Sequence, residues 1–187
     1  MKISKKISYV LEYNSKEIQV EKIGKGMFWT AYQEKNSNNV FLVGKANNDY
    51  SKEAVALWCS ELKHIPKLER VYRDEDTEIF KTVYTPGLKA KDRDAWSDYK
   101  KLRGLWENYL TENLSPTRLQ FVAQNFRTVL DDADIKESLK EALEEMIEAV
   151  SNYDGEWLLE FAPRNLGVDE EGNLILLDIL YDRKKLK

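Results

Sequence analysis

The chain has 187 residues, is 42% hydrophobic and 11% aromatic, and carries a net charge of −4 with a pI near 5.3. That length suffices for one domain or a compact two-lobed unit with a real core, and the absence of a basic excess excludes a general nucleic-acid binder. One cysteine (Cys59) and one histidine (His64) exclude a disulfide framework and a Cys/His zinc site.

No apolar signal region opens the chain, and no stretch approaches the length of a membrane span. The expectation is a soluble cytoplasmic protein with no membrane or nucleic-acid partner. Residues 7–13 and 17–23 read as strands, the second by alternation. Gly24 and Gly26 break it, residues 28–34 are aromatic and β-prone, and Asn36-Ser37-Asn38-Asn39 is a turn. Residues 40–45 form a short apolar strand. Consecutive antiparallel hairpins follow from this order.

Ser51 is a good N-cap for a helix over 52–63, with Ala54, Leu57, Trp58 and Leu62 on one face. Cys59 reads as a small buried apolar residue on it, and His64 as a helix C-terminal histidine ahead of Pro66. Strands are predicted at 68–73 and 77–84, around the polar turn Asp74-Glu75-Asp76. Tyr84-Thr85-Pro86-Gly87 is a hinge or domain boundary. Helices are predicted at 93–110 and from Ser115-Pro116 to about residue 131. A third runs from Asp134, with Ile135, Leu139, Ala142, Leu143, Met146 and Val150 as a core stripe. Short apolar strands at 166–168 and 174–177 flank the turn Asp169-Glu170-Glu171-Gly172. Lys184, Lys185 and Lys187 read as a solvated tail.

The segment Leu158-Leu159-Glu160-Phe161-Ala162-Pro163-Arg164-Asn165 places an acid five residues before an Asn. Asp178 follows that Asn by thirteen residues and opens Asp178-Ile179-Leu180. Upstream, Gly24-Lys25-Gly26-Met27-Phe28-Trp29-Thr30-Ala31 is a glycine hairpin, Lys45 ends an apolar strand, and Glu53 sits in the first turn of the next helix. Each feature alone has an ordinary reading: a two-glycine turn, a surface lysine, an acid at a helix N-terminus, a turn Asn, a strand-end Asp. Their order and the two spacings together resemble the protein-kinase pattern. The stretch Ile23–Tyr32 with Val43-Gly44-Lys45 is similar to the short serine/threonine kinases of T7-like bacteriophages, a resemblance covering roughly residues 18–180.

The resemblance implies an α+β, protein-kinase-like, two-lobed fold. Residues 1–84 would form an N-lobe with a five-stranded antiparallel sheet and helix 52–63. Residues 85–187 would form a reduced, mainly helical C-lobe holding the catalytic-loop-like segment 157–180. ATP and magnesium would bind near residues 81–87. Gly24, Gly26 and Phe28 would cover the phosphates, and Lys45 would clamp them, held by Glu53 with Glu61 as fallback. Asn165 and Asp178 would hold Mg2+ through a carbonyl and a carboxylate oxygen. Glu160 would orient or deprotonate the acceptor, making Glu160, Lys45 and Asp178 the catalytic set. The family implies phosphorylation of a host protein on Ser or Thr, in the host cytoplasm.

The chain departs from the pattern. Glu160 replaces the catalytic Asp, Leu158-Leu159 replace His-Arg, Trp29 replaces the third loop glycine, and nine residues follow Asp178. An extra methylene moves the carboxylate by about 1 Å, and misplacement on that scale costs about 10²-fold. A second reading is therefore a catalytically impaired kinase-like (pseudokinase) module that binds and inhibits or recruits a host protein, with Trp29, Trp96 and Trp106 as interface anchors or as core. Nucleotidyl transfer, using the same parts, is a third.

Overall fold

The structure is a computed structural model describing residues 8–13, 16–46, 50–59, 61–113, 122–131 and 133–186. The chain is mixed α+β and divides into two compact units, Met1–Asp49 with Lys67–Tyr84, and Tyr50–Pro66 with Thr85–Lys187.

The first unit is a fully antiparallel sheet of β1 (Ser8–Tyr13), β2 (Lys16–Lys25), β3 (Trp29–Glu34), β4 (Asn39–Lys45), β5 (Glu69–Arg73) and β6 (Thr77–Val83). The spatial order is β1-β2-β3-β4-β6-β5. The sheet thus has six strands where the kinase resemblance led to five. The physical reason is the length of β2, whose ten residues pair with β1 on one edge and β3 on the other. Period-two alternation sends Val20, Phe41 and Ile79 into one buried cluster with Ile18, Tyr32, Val43 and Val71 packed around it. Trp29 packs edge-on against Phe80, with centroids 5.4 Å apart. Gly44 leaves room for that indole, since a Cβ there would sit 2.6 Å from the Trp29 ring. Glu78 is 2% exposed. Its burial is tolerated because Arg70 and Arg73 approach its Oε1 at 3.4 and 3.7 Å.

The second unit begins with α1 (Tyr50–Ala54), which runs into a π-helical turn, Val55–Cys59. The helix expected over 52–63 is therefore shorter, and it groups with the second unit rather than with the sheet. Its buried face is Ser51, Lys52, Ala54, Val55 and Cys59, whereas Leu57 and Trp58 are exposed. The apolar pattern pointed to the other side. Burial pushes the Cys59 thiol up to about 11, with the charge of Glu145 adding to it, so this cysteine is inert.

His64 is not a helix-end residue. It adopts φ 72°, is 1% exposed, and ties the 61–66 segment into the unit. Its Nδ1 lies 2.7 Å from the Leu174 carbonyl and its Nε2 lies 2.9 Å from Ser138 Oγ. A carbonyl only accepts, so Nδ1 carries the proton, and in the neutral ring the Ser138 hydroxyl donates to Nε2. Burial holds its pKa below the ordinary histidine value.

The helices are α2 (Arg93–Asn113), α3 (Val122–Leu130) and α4 (Glu137–Ser151). The start of the second predicted helix, at Ser115-Pro116, lies outside the described residues. Of the predicted stripe, Leu139, Ala142, Leu143, Met146 and Val150 are buried on α4, whereas Ile135 precedes the helix and is only partly buried. The helix begins at Glu137 rather than Asp134, whose carboxylate is instead bound by Lys101 at 2.8 Å. An aromatic cluster joins the elements: Trp106 meets Phe126 at 5.0 Å and Phe161 at 6.5 Å, and Tyr109 meets Phe126 at 5.4 Å. Trp106 and Trp29 are buried core side chains, not interface anchors. Trp96 is half-buried against Tyr99.

Four short strands complete the unit: β7 (Trp157–Leu159), β8 (Leu166–Val168), β9 (Leu174–Leu176) and β10 (Leu180–Asp182). They pair as two separate antiparallel ladders, β7 with β10 and β8 with β9. The turn between β8 and β9 is as predicted. Gly172 supplies φ 82°, and Asp169 Oδ1 accepts from the amides of Glu171 and Asn173 at 3.0 and 2.7 Å. The end of the expected hinge is tied down, with Val168 donating to the Pro86 carbonyl at 2.9 Å and Leu88 to that of Leu166 at 3.1 Å. Among the described residues, no helix is long and apolar enough to cross a membrane.

Candidate functional site

Two ladders of the second unit end at one place. The β7–β10 pairing sets Leu159 opposite Leu180, and one residue further on Glu160 donates its amide to the Ile179 carbonyl at 2.7 Å. The β8–β9 pairing sets Leu166 opposite Leu176. One residue outward, the Asn165 carbonyl accepts from the amides of Leu177 at 3.0 Å and Asp178 at 3.2 Å. Glu160, Asn165 and Asp178 therefore emerge from abutting backbone. A 3₁₀ turn, Pro163–Asn165, folds the intervening loop back, with Pro163 at a position where a missing N–H costs nothing.

The side chains link up as well. Asn165 is nearly buried and donates Nδ2 to Glu160 Oε2 at 3.0 Å. A carboxylate can only accept, so the amide nitrogen faces Glu160 and Oδ1 turns the other way. The guanidinium of Arg164 bonds the other oxygen, Oε1. Burial raises the pKa of the nearby Tyr181 phenol, and the negative charge of Glu160 raises it further.

Asp178 holds the residue that the sequence pattern did not single out. Lys52, 6% exposed, donates its ammonium to Asp178 Oδ1 at 2.7 Å and to the Leu177 carbonyl at 2.8 Å. No local signal marked it, since its partners lie more than a hundred positions along the chain. Arg164 was likewise passed over, although its four-residue distance from Glu160 is fixed by the loop.

The other expected site residues lie as follows. Gly24, Gly26, Phe28 and Lys45 belong to the first unit, and Glu53 belongs to the second. Gly24 lies within β2 opposite Ala31 rather than breaking the strand, and Gly26 opens the β2–β3 turn, its amide on the Trp29 carbonyl at 2.8 Å. A Cβ at Gly24 would meet Ala31 at 3.9 Å and one at Gly26 would meet Trp29 at 3.6 Å, both ordinary contacts. The chain's own packing therefore demands neither glycine. Phe28 is half-buried, Lys45 is exposed at the end of β4, and Glu53 is half-buried in α1.

The donor set fits a hard divalent cation. With Nδ2 of Asn165 on Glu160 and Oδ1 of Asp178 on Lys52, the remaining oxygens are Asn165 Oδ1 and Asp178 Oδ2. Magnesium takes one or two such protein ligands and completes its shell with water and phosphate oxygens. Among the described residues, no cluster of three or more His, Cys, Asp or Glu forms a dedicated metal cage.

No protein-family model and no curated protein matches the chain. Among solved structures it is similar to the crystal structure of the BubR1 kinase domain, with 13% identity and a TM-score of 0.38 over 95% of this chain and 51% of that one. The chain thus spans about half the length of that domain.

Proposed function

We propose that the chain is a kinase-type phosphotransferase that uses ATP and magnesium and modifies a Ser or Thr hydroxyl of a host protein. The observation that carries this reading is the meeting of Glu160, Asn165 and Asp178 at the ends of the two ladders, at the spacings of a catalytic loop and metal-binding aspartate. Asn165 and Asp178 would hold magnesium, which would supply positive charge to neutralise the phosphates. Glu160 would orient or deprotonate the acceptor hydroxyl. By the kinase resemblance, Gly24, Gly26 and Phe28 would cover the phosphates and Lys45 would clamp them. The T7-like resemblance supports a host-protein acceptor in the cytoplasm.

Mg-ATP at 100 times its dissociation constant should add about 2.7 kcal/mol to unfolding. For a chain of this size that raises the melting midpoint by roughly 5–11 °C. No shift at millimolar Mg-ATP removes the nucleotide site. A sharper expectation concerns Gly24→Ala and Gly26→Ala. Both sites have room for a methyl group, so the free protein should melt as the wild type does while the Mg-ATP shift shrinks. Unchanged Mg-ATP binding in both variants would return these glycines to the role of an ordinary turn. Incubation with ATP labelled separately at the γ- and α-phosphates, plus host lysate, tests the reaction. Transfer of γ-label supports phosphorylation, and transfer of α-label supports nucleotidyl transfer.

The second reading is a pseudokinase module that binds and inhibits or recruits a host protein. It is favoured by the state of Glu160, whose two carboxylate oxygens already have partners in Arg164 and Asn165. No transfer of either label, with the effect on the host intact, would establish it over the first.

A further inference from the structure

We propose that Lys52 is a built-in counter-ion for Asp178, standing in for a divalent metal at that carboxylate in the nucleotide-free protein. Three observations carry this. The ammonium contacts one carboxylate oxygen and one backbone carbonyl, at 2.7 and 2.8 Å, which is the all-oxygen donor type that a hard cation selects. The lysine is almost wholly buried while the Asp178 side chain is half exposed, so the cation is delivered from the protein side and the anion keeps a solvent face. Ser51, Val55, Met146, Leu176 and Leu180 line the space around the pair, and an ammonium among these largely apolar walls is held in place by its two acceptors.

Lys52 and a metal ion therefore compete for Asp178. With the lysine in place the carboxylate is neutralised, and a second cation meets both a weaker ligand and a like charge. The metal binds well only when it arrives with phosphate oxygens, or when the ammonium has turned to them. Lys52 is a positioning residue in this scheme. The inference rests on Asp178 being the metal-facing carboxylate of the proposed site, and nucleotide-free measurements keep the two claims apart.

The test compares thermal unfolding of the wild type, Lys52→Met, Asp178→Asn and the double variant, in chelator and in millimolar MnCl2, without nucleotide. Lys52→Met should melt about 2–4 °C lower in chelator and recover with Mn2+. Wild type and Asp178→Asn should not respond to Mn2+, and the double variant should be no less stable than the worse single one. No recovery of Lys52→Met in Mn2+ would make Lys52 a plain structural ion pair and overturn the proposal. Direct Mn2+ titration of the wild type by electron paramagnetic resonance provides a check that needs no folded Lys52 variant. A stoichiometric site abolished in Asp178→Asn would show that the metal binds with Lys52 in place, which also overturns it. Recovery of Lys52→Met with no ATP binding by any variant would sustain this inference and remove the nucleotide reading.

Discussion

Glu160→Gln is expected to lower phosphoryl transfer by about 10²- to 10⁴-fold, the usual contribution of a general acid–base group. Mg-ATP binding should stay near wild type, since Glu160 is assigned to the acceptor and other groups to the phosphates. The amide keeps one oxygen to accept from Asn165 Nδ2, whose present bond is 3.0 Å, so the loop should hold its shape. Glu160→Asp keeps a carboxylate of the usual kinase length and should retain transfer. Label transfer and the Mg-ATP melting shift, measured on the same preparations, separate chemistry from binding. Equal transfer by wild type and Glu160→Gln would remove the catalytic role. Full effect on the host with no transfer by any form would leave the binding module as the function.

Trp106→Ala is expected to cost about 3–5 kcal/mol, the range for deleting a buried large aromatic side chain. Trp106 is 6% exposed and is shared by Tyr109, Phe126 and Phe161. The loss should reach the site as well as the core, because Phe161 directly follows Glu160. Removing its ring partner frees the loop that aims the carboxylate. Denaturant unfolding should show the full loss, and transfer at a temperature where the variant is still folded should fall too. A loss within about 0.5 kcal/mol, the usual range for a surface substitution, would refute the role of Trp106 as the centre of this cluster.

The strands of the first unit and the β8–β9 hairpin were legible because alternation and turn chemistry are local, whereas β7 and β10 were missed, their pairing joining residues more than twenty positions apart. Gly172 at positive φ and the Asp169 side chain close the β8–β9 turn within five residues, so the sequence window contains the whole cause. The stripe on α4 was legible for the same reason. The helix after Ser51 was misread in extent and in its buried face. A five-residue α-helix followed by a π-helical turn does not keep one 3.6-residue period, and periodicity assigned Leu57 and Trp58 to the wrong side. His64 was misread because its ring partners, Leu174 and Ser138, lie 110 and 74 positions away.

By itself the sequence determined which loop carries Glu160, Asn165 and Asp178. All three fall within residues 160–178, and the β8–β9 ladder beside them needs only local apolar strands and one turn. Tertiary structure alone decided which cation serves Asp178. Lys52 lies 126 positions away, and nothing in its neighbourhood marks it above Lys45 or Glu53. An ion pair between distant segments is selected by which helix face is buried and by the desolvation that forbids an unpaired ammonium there, and neither quantity exists until the second unit has packed.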